Sequence, residues 1–215
     1  MDRQTNLQAN RSNRGPTRRT VLVGAALTGL GTLAGCLDGG SGAKKSAPDP
    51  ITIESDRQCD NCTMVIGDYP GPAGQSFYDD PGAVLDSGSE GEDGESDDQD
   101  RPAQFCSSRC TYNFTFKNES EQEPEVSYLT DYSTVDYDVD TGGEKPEISR
   151  HLDADGFAPA TDLTFIVDSE VQGAMGASLI GFSDADDADS FREEYGGDRY
   201  EPDEVNRELL QSLKN

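Results

Sequence analysis

The chain has 215 residues, of which 43 are acidic and 17 basic, giving a formal net charge of −26 and a sequence pI near 4.1. With no basic patch to serve as an electrostatic footprint, nucleic acid is excluded as a partner. A third of the residues are apolar and none is Trp, which still suffices for one or two small cores.

Residues 1–35 read as an export segment. Arg18 and Arg19 precede the apolar run "VLVGAALTGLGTLAG", which at 15 residues is shorter than the roughly 20 a membrane span needs. It fits a secretory core, and the paired arginines suggest twin-arginine export. The run ends in "LAGC", which looks like a lipobox with Cys36 as the acylated residue; cleavage as a plain signal peptide is the alternative. The Gly/Ser/Pro-rich stretch after it makes residues 36–50 a flexible tether. This pattern places the protein at the outer face of the cell membrane, held by lipid.

Without residues 1–35 the chain keeps 42 acidic and 12 basic side chains. Such self-repulsion is tolerated where salt screens it, so a halophilic source is expected. An acidic binding surface is the alternative, disfavoured because the acid is spread along the whole chain.

An internal repeat organises the rest. "TMVIGDYPGPAGQSF" (63–77) aligns with "FIVDSEVQGAMGASL" (165–179) at a constant offset of 102. Each copy reads as strand, Gly-rich turn, strand. Helical patterns follow. Cys106, Cys110 and Phe114 share one face in the first copy. Ser183 is the expected cap of the second helix, with Asp186 three residues on, and Gly196-Gly197 as the stop. The chain is therefore expected to be α+β, two tandem ββαβ units packed as one globular body. Residues 51–140 form the first unit, 141–161 a linker, and 162–215 the second unit. A C-terminal helix with Val205, Leu209 and Leu213 on one face closes the second unit. The segment 87–100 is an acidic insertion with seven acidic residues in 14 and no apolar residue, which leaves it nothing to bury.

Sulfur carries the chemistry. Beyond Cys36, four cysteines fall as C-x-x-C (59, 62) and C-x-x-x-C (106, 110). The spacing permits disulfides in an exported protein, a tetrahedral zinc site, or a site for a soft monovalent metal. Methionine favours the last. Past Met1, the chain has only Met64, two residues after Cys62, and Met175, in the second Gly-rich turn. Thioether with thiolate suits Cu(I), which accepts two or three soft ligands. The segment "TMVI" reads as strand, so Cys62 and Met64, at i and i+2, would leave by the same face. The lone histidine, His151, is a weaker ligand candidate. No nucleophile elbow, zinc-protease motif or phosphate loop is present, and an enzymatic role is not expected.

The "CTMVI" run, the "GPAGQSFY" turn, the "YLTDY" segment and "FIVDSEVQGAMGASLIGFSDADDADSFREEYGG" together resemble the NosL family, over about residues 58–205 plus the lipobox. The resemblance implies a membrane-tethered Cu(I) chaperone. It would deliver copper for assembly of the copper–sulfide centre of nitrous-oxide reductase, with that enzyme and its maturation machinery as partners. Carried over by motif, the metal donors are Cys62, Met64 and Met175, and the lipid-bearing residue is Cys36. Cys59 joins the main donor set. Cys110 falls near a cysteine often present in the family, while Cys59 and Cys106 depart from the family pattern. A disulfide- or zinc-stabilised surface lipoprotein acting as an interaction module is the competing expectation.

Overall fold

The computed structural model describes residues 46–85 and 101–213. The export segment, Cys36, most of the tether and the acidic insertion lie outside the described residues. The fold mixes helix and sheet.

Four strands form an antiparallel sheet in the order β2-β1-β3-β6. They are β1 (Gly74–Phe77), β2 (Ala103–Phe105), β3 (Val126–Thr130) and β6 (Phe157–Pro159). Helix α1 (Ser108–Asn118) connects β2 to β3. A second sheet runs β4-β5-β7-β8, with β9 also on β7. Its strands are β4 (Val139–Asp140), β5 (Glu147–Ile148), β7 (Thr164–Gly173), β8 (Gly176–Phe182) and β9 (Asp198–Tyr200). Helix α2 (Ala185–Tyr195) lies between β8 and β9, and α3 (Arg207–Ser212) follows.

The long strand β7 serves three neighbours because a register shift divides it between Val167 and Gln172. Asp168, at the shift, has φ +57°. The first half pairs with β9 and the second half with β5. Alternation along β7 and β8 feeds two cores at once. Phe165, Val167 and Leu179 meet Leu210 and Leu213 on one side. Ile166, Ile180 and Phe182 meet Ala188 and Phe191 of α2 on the other. Tyr112 of α1 stands edge-on to Phe165 at 6.1 Å, so α1 reaches the second sheet as well as its own. A third cluster, under the first sheet, contains Ile66, Phe105, Phe114, Cys59, Cys106 and Cys110.

The sheets are stitched at Asp131, which bridges in parallel to Gly181. Its carboxylate, 2% exposed, accepts the N–H groups of Ser133 and Ser183 at 3.0 and 2.9 Å.

Several local expectations are corrected. The stretch after Cys62 is not a strand: Cys62 lies in a turn, Thr63 takes φ +63°, and Ile66–Asp68 is a 3₁₀ turn. Only Val65 pairs, in an isolated bridge with Gln58. Backbone bonds from Thr63 N–H to Cys59 O and from Cys59 N–H to Met64 O, both 2.8 Å, curl the chain into a closed loop instead. At the offset of 102, strand β1 therefore aligns with β8, and no strand in the first copy aligns with β7. The stretch 141–161, read as a linker, supplies β5 to one sheet and β6 to the other. The cap of α2 is Asp184, whose side chain accepts the Asp186 N–H, one residue later than Ser183. Helix α3 starts at the Asn206 cap, after a separate 3₁₀ turn at Pro202–Glu204.

Candidate metal site

The Cys59–Met64 loop is held against β2 by Asp60. Its carboxylate takes both terminal nitrogens of Arg101 at 2.7 Å, a paired geometry with directional strength. It also accepts the Gln104 N–H at 2.7 Å, while the Asp60 N–H donates to the Gln104 carbonyl at 2.9 Å. These bonds bring the loop alongside the end of β2, where Cys106 follows directly. Ser107 then caps α1, its hydroxyl accepting the Cys110 N–H at 3.0 Å. The cap fixes where the first turn of α1 points Cys110.

The four sulfurs consequently converge. Those of Cys59, Cys62, Cys106 and Cys110 all lie within 4.8 Å of one another. The Cys62 and Cys106 sulfurs are 3.5 Å apart and those of Cys106 and Cys110 are 3.8 Å apart. All four cysteines are free thiols. A metal–sulfur bond of about 2.3 Å in a tetrahedral site spaces sulfurs by about 3.8 Å, so the arrangement matches a single bound ion. Cys59, Cys106 and Cys110 are each 1% exposed, while Cys62 is half-buried. The Asn61 amide donates to the Cys110 sulfur at 3.4 Å.

Crowding splits the acidities. Hydrogen bonds from Cys106 and then Cys110 pull the Cys59 thiol down to about 2. The Cys106 thiol is driven far up by its contacts with Cys110 and Cys59 and by burial. Cys110 is lowered by its Cys106 contact, but Cys59 and burial outweigh this and leave it at about 12. Burial raises Cys62. The group holds one negative charge readily and further ones only against repulsion and desolvation, a penalty that a cation in their midst removes.

The other expected donors are placed differently. Met64 is half-buried, and its carbonyl closes the cysteine loop. Met175 sits at the tip of the β7–β8 hairpin and packs on the apolar cluster that contains the buried thiols. Its carbonyl accepts Arg109 Nη1 at 2.7 Å, which ties the tip to the first turn of α1. His151 is not in the thiol group. Its Nε2 lies 3.0 Å from the Ser149 hydroxyl, its ring stands edge-on to Tyr132, and burial lowers its pKa. Cys106 and Cys110, secondary in the sequence reading, are full members of the cluster. The roles of Asp60, Asn61 and Arg101 were not anticipated, although Asp60 and Asn61 stand inside the C-x-x-C itself.

Comparison with known proteins identifies the family. The sequence profile of the NosL family matches residues 50–210. The copper-binding lipoprotein NosL of Stutzerimonas stutzeri is 27% identical over 195 residues, covering 91% of this chain and 82% of that protein. The crystal structure of the copper chaperone NosL from Shewanella denitrificans superposes with a TM-score of 0.52 at 27% identity, covering 73% of this chain and 94% of that one. With a match that spans most of its length, this chain belongs to the NosL family.

Proposed function

We propose that this protein is a Cu(I) carrier on the extracytoplasmic face of the membrane, exported by the twin-arginine route and anchored by lipid on Cys36. Copper is its cargo, and it catalyses no reaction. It hands the ion over for assembly of the copper–sulfide centre of nitrous-oxide reductase, in a haloarchaeal-type cell whose salt screens its negative charge. The convergence of four thiols in one half-buried cluster carries this reading. Thiolate selects soft d¹⁰ ions, and a low-coordinate ion lets an acceptor add a ligand before the carrier loses one. Two relatives named for copper support the choice of ion. Cys62, Cys59, Met64 and Met175 are the donors drawn from sequence, with Cys106 and Cys110 beside them.

With 63–66 outside the sheets, the tandem ββαβ reading is proposed in changed form: β1-β2-α1-β3 is set against β7-β8-α2-β9, which matches β1 with β7 rather than with β8 as the 102-residue offset does. In support, they pair in the matching orders β2-β1-β3 and β8-β7-β9.

Titration of reduced, metal-free protein with Cu(I) under anaerobic conditions, against a chromogenic chelator, tests the assignment. One tightly held Cu(I) per chain is expected, lost when the thiols are alkylated. A second reading, a tetrathiolate Zn²⁺ module that binds a protein partner, is favoured by the near-tetrahedral sulfur spacing. Purified protein that retains stoichiometric zinc against excess Cu(I) would establish that reading and overturn the first.

A further inference from the structure

Resting on the copper-carrier reading, we propose that Arg109 is a positioning residue of the metal site. It seats the thioether of Met175 on the thiol cluster, where Met175 serves as a Cu(I) donor from the second half of the chain.

The three residues between Cys106 and Cys110 each hold a different part of the surroundings. Ser107 caps α1. The buried hydroxyl of Ser108 accepts the N–H of Leu179 in β8 at 3.0 Å. Arg109, half-buried, donates from Nη1 to the Met175 carbonyl at 2.7 Å. The helix turn that carries Cys110 thus grips the β7–β8 hairpin at two points. These bonds span 71 and 66 residues of sequence, so each ties the two halves of the chain together.

The hairpin tip needs such a hold. Gly173 pairs with Gly176 across it, which leaves Ala174 and Met175 as a two-residue connection outside both strands. Gly176 has φ +81°, in the region that favours glycine. Met is unbranched with three rotatable bonds, so a thioether on such a turn samples many positions. Ordering it costs entropy when the ion binds, and a support fixed beforehand reduces that cost. A guanidinium bond to a carbonyl is charge-assisted and stronger than a neutral one.

Placement supports the donor role. Met175 packs on the cluster that contains Cys59, Cys106 and Cys110, as Cys62 does. Thioether suits Cu(I) but adds little for a divalent d¹⁰ ion that four thiolates already satisfy. Arg109 therefore favours the monovalent ion without touching it.

Cu(I) and Cd²⁺ affinities of the reduced protein, measured by chelator competition, test the role. Molar sodium sulfate holds the Debye length at about 3 Å or less, which leaves the bare charge of Arg109 little reach. Arg109→Gln keeps a helix former in place. Its Cu(I) affinity should fall about tenfold, in the range for supports behind metal ligands. Its Cd²⁺ affinity should stay within about threefold. Met175→Leu should lose Cu(I) affinity by about tenfold or more. The double variant should bind Cu(I) within about threefold of Met175→Leu, because the support has nothing left to place. Independent losses that multiply to about a hundredfold would overturn the proposal. Equal losses of Cu(I) and Cd²⁺ in Arg109→Gln would do so too, since they mean a loosened helix turn. Unchanged Cu(I) affinity in either single variant removes the positioning role and leaves the carrier reading standing. A wild type that takes up no Cu(I) removes both.

Discussion

Gly71 and Gly173, equivalent positions of the internal repeat, lie back to back: a Cβ on Gly173 would overlap the carbonyl oxygen of Gly71. The two Gly-rich turns thus meet across the interior. A methyl group at Gly71 would likewise strike the Tyr132 hydroxyl and the Ser149 carbonyl. The obstacles are mostly backbone, which yields little. Gly173→Ala is therefore expected to destabilise the protein by about 1–3 kcal/mol through overpacking. Chemical denaturation at high salt measures this, and an unchanged midpoint would refute the close approach.

Asp60 joins the cysteine loop to β2 through Arg101 and Gln104, with the pair largely shielded at 13% and 19% side-chain exposure. Asp60→Asn keeps the size but removes the charge that Arg101 opposes. A loss of about 1–3 kcal/mol in stability is expected. Metal affinity should fall by about 10–100-fold, as for supports behind metal ligands in general. Denaturation and a Cu(I) competition titration read the two effects separately.

Met64→Leu exchanges a thioether for a hydrocarbon of similar volume. Stability should change by less than about 1.5 kcal/mol. If the thioether is a copper donor, Cu(I) affinity drops while the fold holds. Equal affinities in wild type and variant would remove Met64 from the ligand set and leave the thiols to hold the ion by themselves.

Cys62, Cys106 and Cys110 have thiols displaced upward, so they carry protons at neutral pH that metal must expel. Cys59, lowered to about 2, is already ionised there and releases none. Metal affinity should rise with pH through the neutral range and fall as acid is added. Proton release in a weakly buffered titration checks the sign, and pH-independent affinity would contradict the assignment of thiols as ligands.

The net charge of −26 sets a salt requirement. As screening weakens, repulsion among the acidic side chains grows. Melting temperature should decline steadily as salt is lowered from molar to tens of millimolar. A flat profile would argue against a halophilic setting.

Where sequence reading succeeded and failed has a physical pattern. The helix over Ser108–Asn118 was legible because Cys110 and Phe114 recur at helical spacing, and α2 because Gly196 and Gly197 take the positive φ its end requires. The β7–β8 hairpin followed from β-rich residues around a Gly-rich turn. The same signature misled at 63–70, where hydrogen bonding within the Cys59–Met64 loop overrides the strand propensity of "TMVI". Strands β4, β5 and β6 are only two or three residues long, too short for a period to show, and β5 and β6 take their places in the sheets from distant partners, β7 and β3. At the site, C-x-x-C and the two methionines were visible as soft donors. That Cys106 and Cys110 meet Cys59 and Cys62 depends on a clamp between residues 60 and 101–104, a long-range relationship that spacing does not encode.

The sulfurs come from two short stretches, 59–62 and 106–110, with β1, β2 and the acidic insertion strung between them. An ion gripping both stretches would act on the chain as a cross-link does, closing a loop of more than 40 residues and removing freedom from the unfolded state. Cargo and folding free energy are then linked: the laden protein unfolds less often than the emptied one. A protease would accordingly cut the metal-free form faster than the metal-bound one.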